Sequence, residues 1–572
     1  MKKRVPYGES NFKRVMEDNM YYIDKTKHIE ILESMPSFQF FIRPRRFGKS
    51  LFLSMLETYY DVYEEQRFDE YFGEFYIGKN KTKEANKYLT LRISFAGIVS
   101  DQGKEELIKS FDNIVNNTTL TMLRKYKSIM NCNENEIKGK NAIETLNKLN
   151  NLLKENNKKM ILLIDEYDNF TNGLMIKDKE MYKTLVQTDG YVKTFYKEIK
   201  EGTAEGSIPR VFITGVSPIL LDDLTSGANI FENLTNEYKL NDMMGVRQEE
   251  LEKMIDYYEF EKYVDKKELL EMMKELYNGY KFNSKTKETV YNTGMTMYIV
   301  NKIKQNEDYP DDMLDDNIKT DYGKLRTLAQ SFESKDELRE IVEENKLIGP
   351  IELKKRFGID TMYEVNNTDN FYSLLYYLGL VTIKKTEGRK IYLGIPNYSV
   401  KTMYWEYLLN SYKIANIAKM QEVALAMNKM RRNADVKEIM EIYARVRSEL
   451  SNRDLIWYNE MTSKSIFITL LFLDGVYILE SEKEVRAGYT DLYLKEGVTY
   501  KEEVNYRYLL EFKHIKQEDY TEKALTSKKK EAKEQLEKYI KDAKIQEDGV
   551  RPLKKMIVIS IGKNDTIYEE LN

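Results

Sequence analysis

With 572 residues, 32% of them charged, and a formal net charge of −4, the chain is too long for one hydrophobic core and too acidic to advertise nucleic-acid binding at whole-chain level. A single cysteine, Cys132, excludes an internal disulfide framework and fits a reducing cytoplasm; only two histidines, His28 and His514, argue against a His-rich zinc site or a Ser-His-Asp hydrolase. No apolar stretch follows the charged start, and the longest apolar run, 466–473, is far short of the roughly 20 residues that span a bilayer, so the expected location is cytoplasmic with no membrane partner.

Up to about residue 230, short apolar runs alternate with longer amphipathic stretches. Residues 38–42 read as a buried strand and 50–60 as the helix after it, with further strands at 88–95, 159–164 and 210–214. That alternation predicts a parallel sheet with helices on both faces. Helical patterns dominate 240–410, with β-like pieces at 379–383 and 390–393; 411–450, without Gly or Pro, reads as a helical connector. Then come a helix at 466–473, strands at 475–481, 490–494 and 506–512, a charged helix at 528–543 and a last apolar strand at 555–561. The expected domains are 1–235, 236–410, 411–455 and 456–572.

The strand at 38–42 runs into Arg43-Pro44-Arg45-Arg46-Phe47-Gly48-Lys49-Ser50, and Gly-Lys-Ser opens the next helix. This is the recipe for holding phosphate: backbone amides and a helix N-terminus face the anion, Lys49 neutralises it, and the Ser50 hydroxyl joins a magnesium shell. Arg46, Phe47, Gly48, Lys49, Ser50 and Leu51 are the expected contacts, although Arg43 stands where G-x-x-x-x-G-K-[ST] has its first glycine. The apolar strand 160–164 ends in Asp165 and Glu166, carboxylates that are costly there unless they meet metal or solvent. Asp165 is expected to hold magnesium through water and Glu166 to polarise the attacking water. A third strand ends at Thr214-Gly215-Val216-Ser217, read either as a γ-phosphate sensor or as a plain turn. The three fall in the chain order of P-loop ATPases that insert a strand between the two Walker elements. Arg43, Arg45 and Arg46 either face the nucleotide or pack against acidic side chains; His28 and His514 read as structural or bystander residues.

A second constellation lies near the C-terminus, where Asp491 opens one strand and Glu511-Phe512-Lys513 closes the next. Residues two apart share a strand face, so Glu511 and Lys513 point the same way, and Asp491 joins them across a hairpin. Two carboxylates then bind Mg²⁺ or Mn²⁺ while the lysine positions or deprotonates a water, which suits in-line attack on a phosphodiester. Glu484 lies just upstream, and the following helix carries Gln535 and Tyr539. The competing reading is solvated charge alternation on an edge strand.

Tyr22-Ile23-Asp24-Lys25-Thr26, RPRRFGKSLFLSML, Leu276-Tyr277-Asn278-Gly279-Tyr280, Ser373-Leu374-Leu375-Tyr376-Tyr377-Leu378-Gly379, Ile395-Pro396-Asn397 and the GYTD…EFK module together resemble the bacterial AAA-ATPase-like proteins fused to a C-terminal PD-(D/E)XK nuclease-superfamily domain. The resemblance covers nearly the whole chain. It implies an α/β fold with an AAA-related P-loop NTPase core, a helical or winged-helix middle and a restriction-endonuclease-like α/β end. Family P-loops usually carry Arg in place of the first glycine. Lys49, Ser50, Asp165 and Glu166 carry over as nucleotide and magnesium residues; Glu484, Asp491, Glu511, Lys513 and Gln535 carry over to the nuclease site, with Asp491 and Glu511 as metal ligands. Two departures stand out: Gly488 is followed by Tyr489 where Gly-Arg-x-Asp is frequent, and Asn459 stands where Tyr-His is common. The resulting expectation is an ATP- and Mg²⁺-dependent protein whose nuclease-like end acts on nucleic acid, DNA favoured, with a role against foreign or mobile DNA; the alternative is a nucleotide-operated switch whose C-terminal domain binds nucleic acid or a protein without cutting. A homo-oligomer is expected by fold analogy alone.

Overall fold

The computed structural model describes residues 2–99, 102–131, 137–170, 174, 178–187, 190–218, 220, 231–315, 341, 347–355, 368–450 and 459–571; Cys132 lies outside the described residues. The chain divides into two compact units, Met1–Asp308 with Gly349–Asn397, and Tyr309–Ile348 with Tyr398–Asn572.

The first unit is built on strands β1 (Phe38–Ile42), β2 (Leu89–Ser94), β3 (Met160–Asp165), β4 (Arg210–Gly215) and β5 (Glu232–Asn233). They pair in parallel in the order β2-β3-β4-β1-β5. Every residue of β3 is buried, and all of β1 after its first residue. Strands covered on both faces need apolar side chains at successive positions, which is why both read as apolar runs, interrupted in β1 only by the buried Gln39, whose amide donates to the Leu32 and Pro36 carbonyls. The helices α1 (Lys49–Tyr60), α2 (Lys104–Lys125), α3 (Ala142–Glu155) and α4 (Tyr191–Ala204) belong to the same unit. In α2, Leu107, Phe111 and Val115 form the buried stripe, as do Leu146, Leu149 and Leu153 in α3. Asn141 starts α3 by accepting the Glu144 amide. Because β4 lies between β1 and β3, the loop after β1 and the carboxylates after β3 meet at one end of the sheet, the carboxyl end where open α/β sheets bind ligands.

Helices α5 (Gln248–Tyr258) and α6 (Thr293–Asn306) follow. A small sheet of β6 (Ile348–Ile351), β7 (Thr382–Glu387) and β8 (Lys390–Gly394) has the order β6-β8-β7, and the helix Thr368–Tyr377 leads into the β7–β8 hairpin. The strand starts later than the expected 379–383, because Gly379 at φ +79° turns the chain out of the helix first.

In the second unit, α7 (Met420–Asn433), α8 (Lys437–Glu449) and α9 (Glu460–Leu471) precede β9 (Tyr477–Val485), β10 (Gly488–Glu496) and β11 (Arg507–Ile515), an antiparallel meander. Helix α10 (Glu522–Tyr539) then crosses to β12 (Leu553–Ile561), which pairs in parallel with β11, and β13 (Asp565–Leu571) returns antiparallel. Leu525, Ala532 and Leu536 of α10 share a core with Leu509, Ile515, Ile557 and Ile559. Helices α7 and α8 are tied to this sheet: the Tyr508 hydroxyl donates to the Met430 carbonyl (2.8 Å) and the Arg447 guanidinium to the Gly562 carbonyl (2.7 Å). Among the described residues no helix is long and apolar enough to cross a membrane.

Candidate functional site

The phosphate loop takes its shape from two left-handed residues, Arg46 (φ +66°) and Gly48 (φ +90°). Gly48 is the N-cap of α1, where a left-handed turn without a Cβ directs the following amides toward a common point. Lys49 is buried, and its ammonium donates to the Arg43 (3.0 Å) and Pro44 (2.8 Å) carbonyls. Burial pulls that ammonium down to about 8, against the opposing pull of Asp165, Asp168 and Glu166. Ser50 and Leu51 follow in the first turn, both half-buried.

The loop is gripped from behind by the sequence motifs that lay outside the phosphate signature. Gly294 donates its amide to the Arg46 carbonyl (2.8 Å) and the Thr293 hydroxyl to the Phe47 carbonyl (3.2 Å). The Phe47 ring meets Tyr280 and Phe282 edge-on, with centroids 4.9 and 5.4 Å away. At Gly379 a Cβ would stand 2.7 Å from the Pro44 ring. Arg43 takes neither role expected of it. It is fully buried, stacks between Phe41 and Phe282 (4.1 and 3.9 Å), and donates to the Ile42, Thr235 and Leu240 carbonyls. Where a first glycine would allow backbone approach, this arginine fastens the base of the loop to the segment after β5. An apolar hollow lined by Tyr22, Leu51, Phe52, Met244, Val246 and Met297 opens beside Gly48. The Tyr22–Thr26 motif holds one wall of it: the buried Lys25 ammonium pairs with Glu250 (2.7 Å), and Asp24 accepts from the Thr26 hydroxyl and the Tyr76 amide. His28 is buried, its ring against the Lys25 carbonyl and Asp242, a structural role.

At the end of β3, Asp165 is buried and accepts the Thr214 hydroxyl (2.8 Å) and the Glu166 amide (3.0 Å), both on Oδ1. Thr214 thus sits on the carboxylate expected to organise magnesium. Glu166 is left-handed (φ +50°) and half-buried, and its carboxyl is raised first by burial and then by Asp165. Sequence reasoning missed Asp168, whose buried carboxylate accepts the Val216 (3.1 Å) and Ser217 (2.7 Å) amides and so fixes the turn after β4. The acidic run Asp165-Glu166-Tyr167-Asp168 carried the signal. A magnesium–nucleotide complex fits this donor set, with Lys49 and Ser50 on one side and Asp165 and Glu166 on the other.

In the second unit, the rung beyond Leu492–Leu510 sets Asp491 opposite Glu511, and the rung between Thr490–Lys483 and Leu492–Ser481 sets it opposite Glu482. Asp491 Oδ2 accepts the Phe512 amide (2.7 Å) in place of a ladder bond. Glu511 is 2% exposed; its Oε1 accepts from the Lys513 ammonium (2.9 Å), and its Oε2 is buried with no partner among the described residues. Burial and the neighbouring Asp491 push the Glu511 carboxyl up to about 8. Burial alone would lower the Lys513 ammonium, but Glu511, Asp491 and Glu460 outweigh it and hold it above its ordinary value. Lys513 therefore stays a cation, which orients and stabilises charge rather than removing a proton.

The cluster contains residues that sequence reasoning did not bring in. Glu460, at the start of α9, lies 3.5 Å from the Lys513 ammonium, and Lys464, one turn on and 4% exposed, pairs with Glu482 and lies 3.8 Å from Asp491. Glu484 stands apart: it is exposed, pairs with Tyr489 at the hairpin end, and none of the cluster's ion pairs among the described residues involves it. Gln535 and Tyr539 lie four apart on α10 and so share a face; Tyr539 is raised by burial and then by Glu511 and Asp491, and Gln535 Oε1 is buried without a partner. His514 turns to the Ser560 hydroxyl (2.9 Å), and burial keeps its ring neutral, at about 4. No three His, Cys, Asp or Glu side chains among the described residues converge on one ion position. Two carboxylates, one with an orphaned buried oxygen, match a hard cation that keeps most of its waters. Asp491 and Glu511 are the residues that would hold it.

Comparison with known proteins finds one family match within each unit. Residues 6–225 match a family model described as a predicted AAA-ATPase, AAA-ATPase-like, and residues 458–570 one described as PD-(D/E)XK nuclease superfamily. A curated relative, an uncharacterised protein in the vnfD 5′ region of Azotobacter chroococcum mcd 1, is 45% identical over 56 residues, which span 10% of this chain and 11% of that one. Among solved structures, the Aeropyrum pernix ORC2 protein (ADPNP–ADP complexes) is 11% identical with TM-score 0.32, covering 69% of this chain and 98% of its own. Cdc6p from Pyrobaculum aerophilum is 12% identical with TM-score 0.25, covering 67% and 93%. The Aeropyrum pernix ORC1 protein in complex with DNA is 10% identical with TM-score 0.25, covering 68% and 92%. The chain joins an AAA-ATPase-like domain to a C-terminal PD-(D/E)XK nuclease superfamily domain.

Proposed function

We propose that the protein binds and hydrolyses ATP at Lys49, Ser50, Asp165 and Glu166 and cleaves a phosphodiester, in DNA rather than RNA, at a divalent-metal centre formed by Asp491, Glu511 and Lys513. The observation that carries the cleavage reading is the buried, partnerless Oε2 of Glu511 beside Asp491, an arrangement that costs about 1–3 kcal/mol with nothing to receive it. Mg²⁺ or Mn²⁺ bound there would supply charge neutralisation and a more acidic water. Lys513, held protonated, faces developing negative charge on the scissile phosphate, and Gln535 and Tyr539 line the same side of α10. In the first unit Glu166 accepts a proton from water, its carboxyl raised by burial toward that task. The apolar hollow beside Gly48 receives the base. ATP turnover regulates cleavage, a homo-oligomer is the working form, and foreign or mobile DNA is the substrate in the cell.

The test measures two activities on one preparation. Glu166→Gln should lose ATP turnover while keeping nucleotide binding, and Lys513→Ala should lose plasmid cleavage while keeping turnover. The nucleotide-operated switch is favoured by the exposed Tyr489 at the mouth of the hairpin; intact DNA and RNA under every metal condition, with turnover present, would leave that reading standing and remove the nuclease.

A further inference from the structure

We infer that the buried Lys464 ammonium is a built-in cation that makes the C-terminal centre a one-ion site. The inference rests on the metal-dependent reading above and asks how many ions the centre takes.

Three adjacent strands place Glu482, Asp491 and Glu511 on neighbouring rungs, and α9 adds Glu460. The two lysines divide this acidic group between them. Lys513 holds Glu511 Oε1 at 2.9 Å and Glu460 at 3.5 Å. Lys464 holds Glu482 and lies 3.8 Å from Asp491 Oδ1. Asp491 Oδ2 also takes the Phe512 amide. The strong acceptor left over is the buried Oε2 of Glu511, which has no partner among the described residues. One coordination position, between Asp491 and Glu511, is thereby open to a cation. The other, between Asp491 and Glu482, already has a positive charge in it.

Lys464 is fixed in that role by its surroundings. It is 4% exposed, in a helix whose residues Thr462 to Leu471 are all buried, so its ammonium is largely shut off from solvent. A buried ammonium is strongly unfavourable without an anionic partner, and Glu482 supplies it. Glu482 itself sits at φ +56°, a left-handed residue interrupting β9 opposite Asp491. Non-glycine residues hold that conformation only where their surroundings impose it. Charge balance points the same way: four carboxylates facing two ammonium groups leave a deficit that one divalent ion cancels and a second would overshoot.

Mn²⁺ titration of the nucleotide-free full chain, by calorimetry and electron paramagnetic resonance, tests this. The ions counted are those removed by Asp491→Asn. Wild type should bind one ion with no Mn–Mn dipolar broadening. Lys464→Met should bind two, whereas Lys464→Arg, and Lys464→Met combined with Glu482→Gln, should bind one. Two ions in wild type, which Mn–Mn dipolar broadening reports without any variant, would overturn the inference and leave the metal reading intact. One ion in Lys464→Met, with wild-type circular dichroism and thermal midpoint, would also overturn it. No ion lost on Asp491→Asn would overturn both the inference and the metal reading.

Discussion

Replacing Glu511 by Gln should make the protein more stable and at the same time unable to hold its metal. In the unfolded chain the Glu511 carboxyl titrates near its ordinary 4.5; in the fold, burial and Asp491 move it to about 8. Between those values the folded state holds a proton that the unfolded state has released, so stability falls as pH rises from about 4.5 toward 8 and is level beyond. At about 1.4 kcal/mol per unit, the cost at pH 7.5 approaches roughly 4 kcal/mol. Gln cannot ionise and escapes it. Its carbonyl still accepts from Lys513, as the protonated carboxyl does below pH 8, so little is lost at that contact. The net expectation is a gain of about 3–4 kcal/mol at pH 7.5 that shrinks to near zero at pH 4.5. Both tryptophans, Trp405 and Trp457, lie in the C-terminal half of the sequence, so denaturant unfolding followed by tryptophan fluorescence at the two pH values reports the right region. Mg²⁺ should raise the wild-type midpoint and leave that of the variant unchanged. A variant that is less stable at pH 7.5, or a difference that does not change with pH, would refute the reasoning.

Other expectations follow from single contacts. Burial holds Lys49 near 8 in the nucleotide-free protein, so above that pH phosphate binding must take up a proton; ATP affinity should fall by up to about tenfold per pH unit there, with no such inflection in Lys49→Arg, as calorimetry from pH 7 to 9.5 would show. Glu166→Gln should lower kcat for ATP by about 10²–10⁴ with little change in nucleotide affinity; an unchanged kcat would remove it as the base. Asp168→Asn leaves an amide group facing the Val216 and Ser217 N–H groups and should destabilise by about 1–3 kcal/mol, with kcat reduced more than KM rises; wild-type turnover would make that carboxylate dispensable. Gly379→Ala places a methyl 2.7 Å from Pro44 at φ +79° and should cost about 1–3 kcal/mol and weaken ATP binding through the displaced loop; equal thermal midpoints and Kd values would contradict the described packing.

What was legible in the sequence followed from burial on both sides. Strands β1 and β3 are almost wholly apolar, Gln39 apart, because helices cover the sheet, and the phosphate loop and the Asp165–Glu166 pair stand at their ends. Period-two alternation likewise put Glu511 and Lys513 on one face. The centre's remaining members depend on register and on helix docking, which leave no local mark. Glu482 rather than Glu484 faces Asp491 because the β9–β10 register pairs Lys483 with Thr490 and Ser481 with Leu492, and nothing in the spacing of two glutamates reveals it. Glu460 and Lys464 lie in an apolar helix some thirty residues upstream, where a lysine reads as a surface residue until the structure buries it. Strand β13 went unseen because its polar residues carry no apolar run, and Arg43 read as a nucleotide contact or an acid partner because one of the two phenyl rings that hold it, Phe282, is distant in sequence.

Plasmid cleavage with Mg²⁺ or Mn²⁺ decides whether the C-terminal centre is a metal-dependent nuclease under the control of the ATPase. Wild type, Asp491→Asn and Lys513→Ala would be compared with and without ATP. Wild type should cleave only with the metal, at a rate that changes with ATP, and both variants should leave the plasmid intact. Cleavage that survives both substitutions, or its absence from wild type under every condition, would contradict that reading.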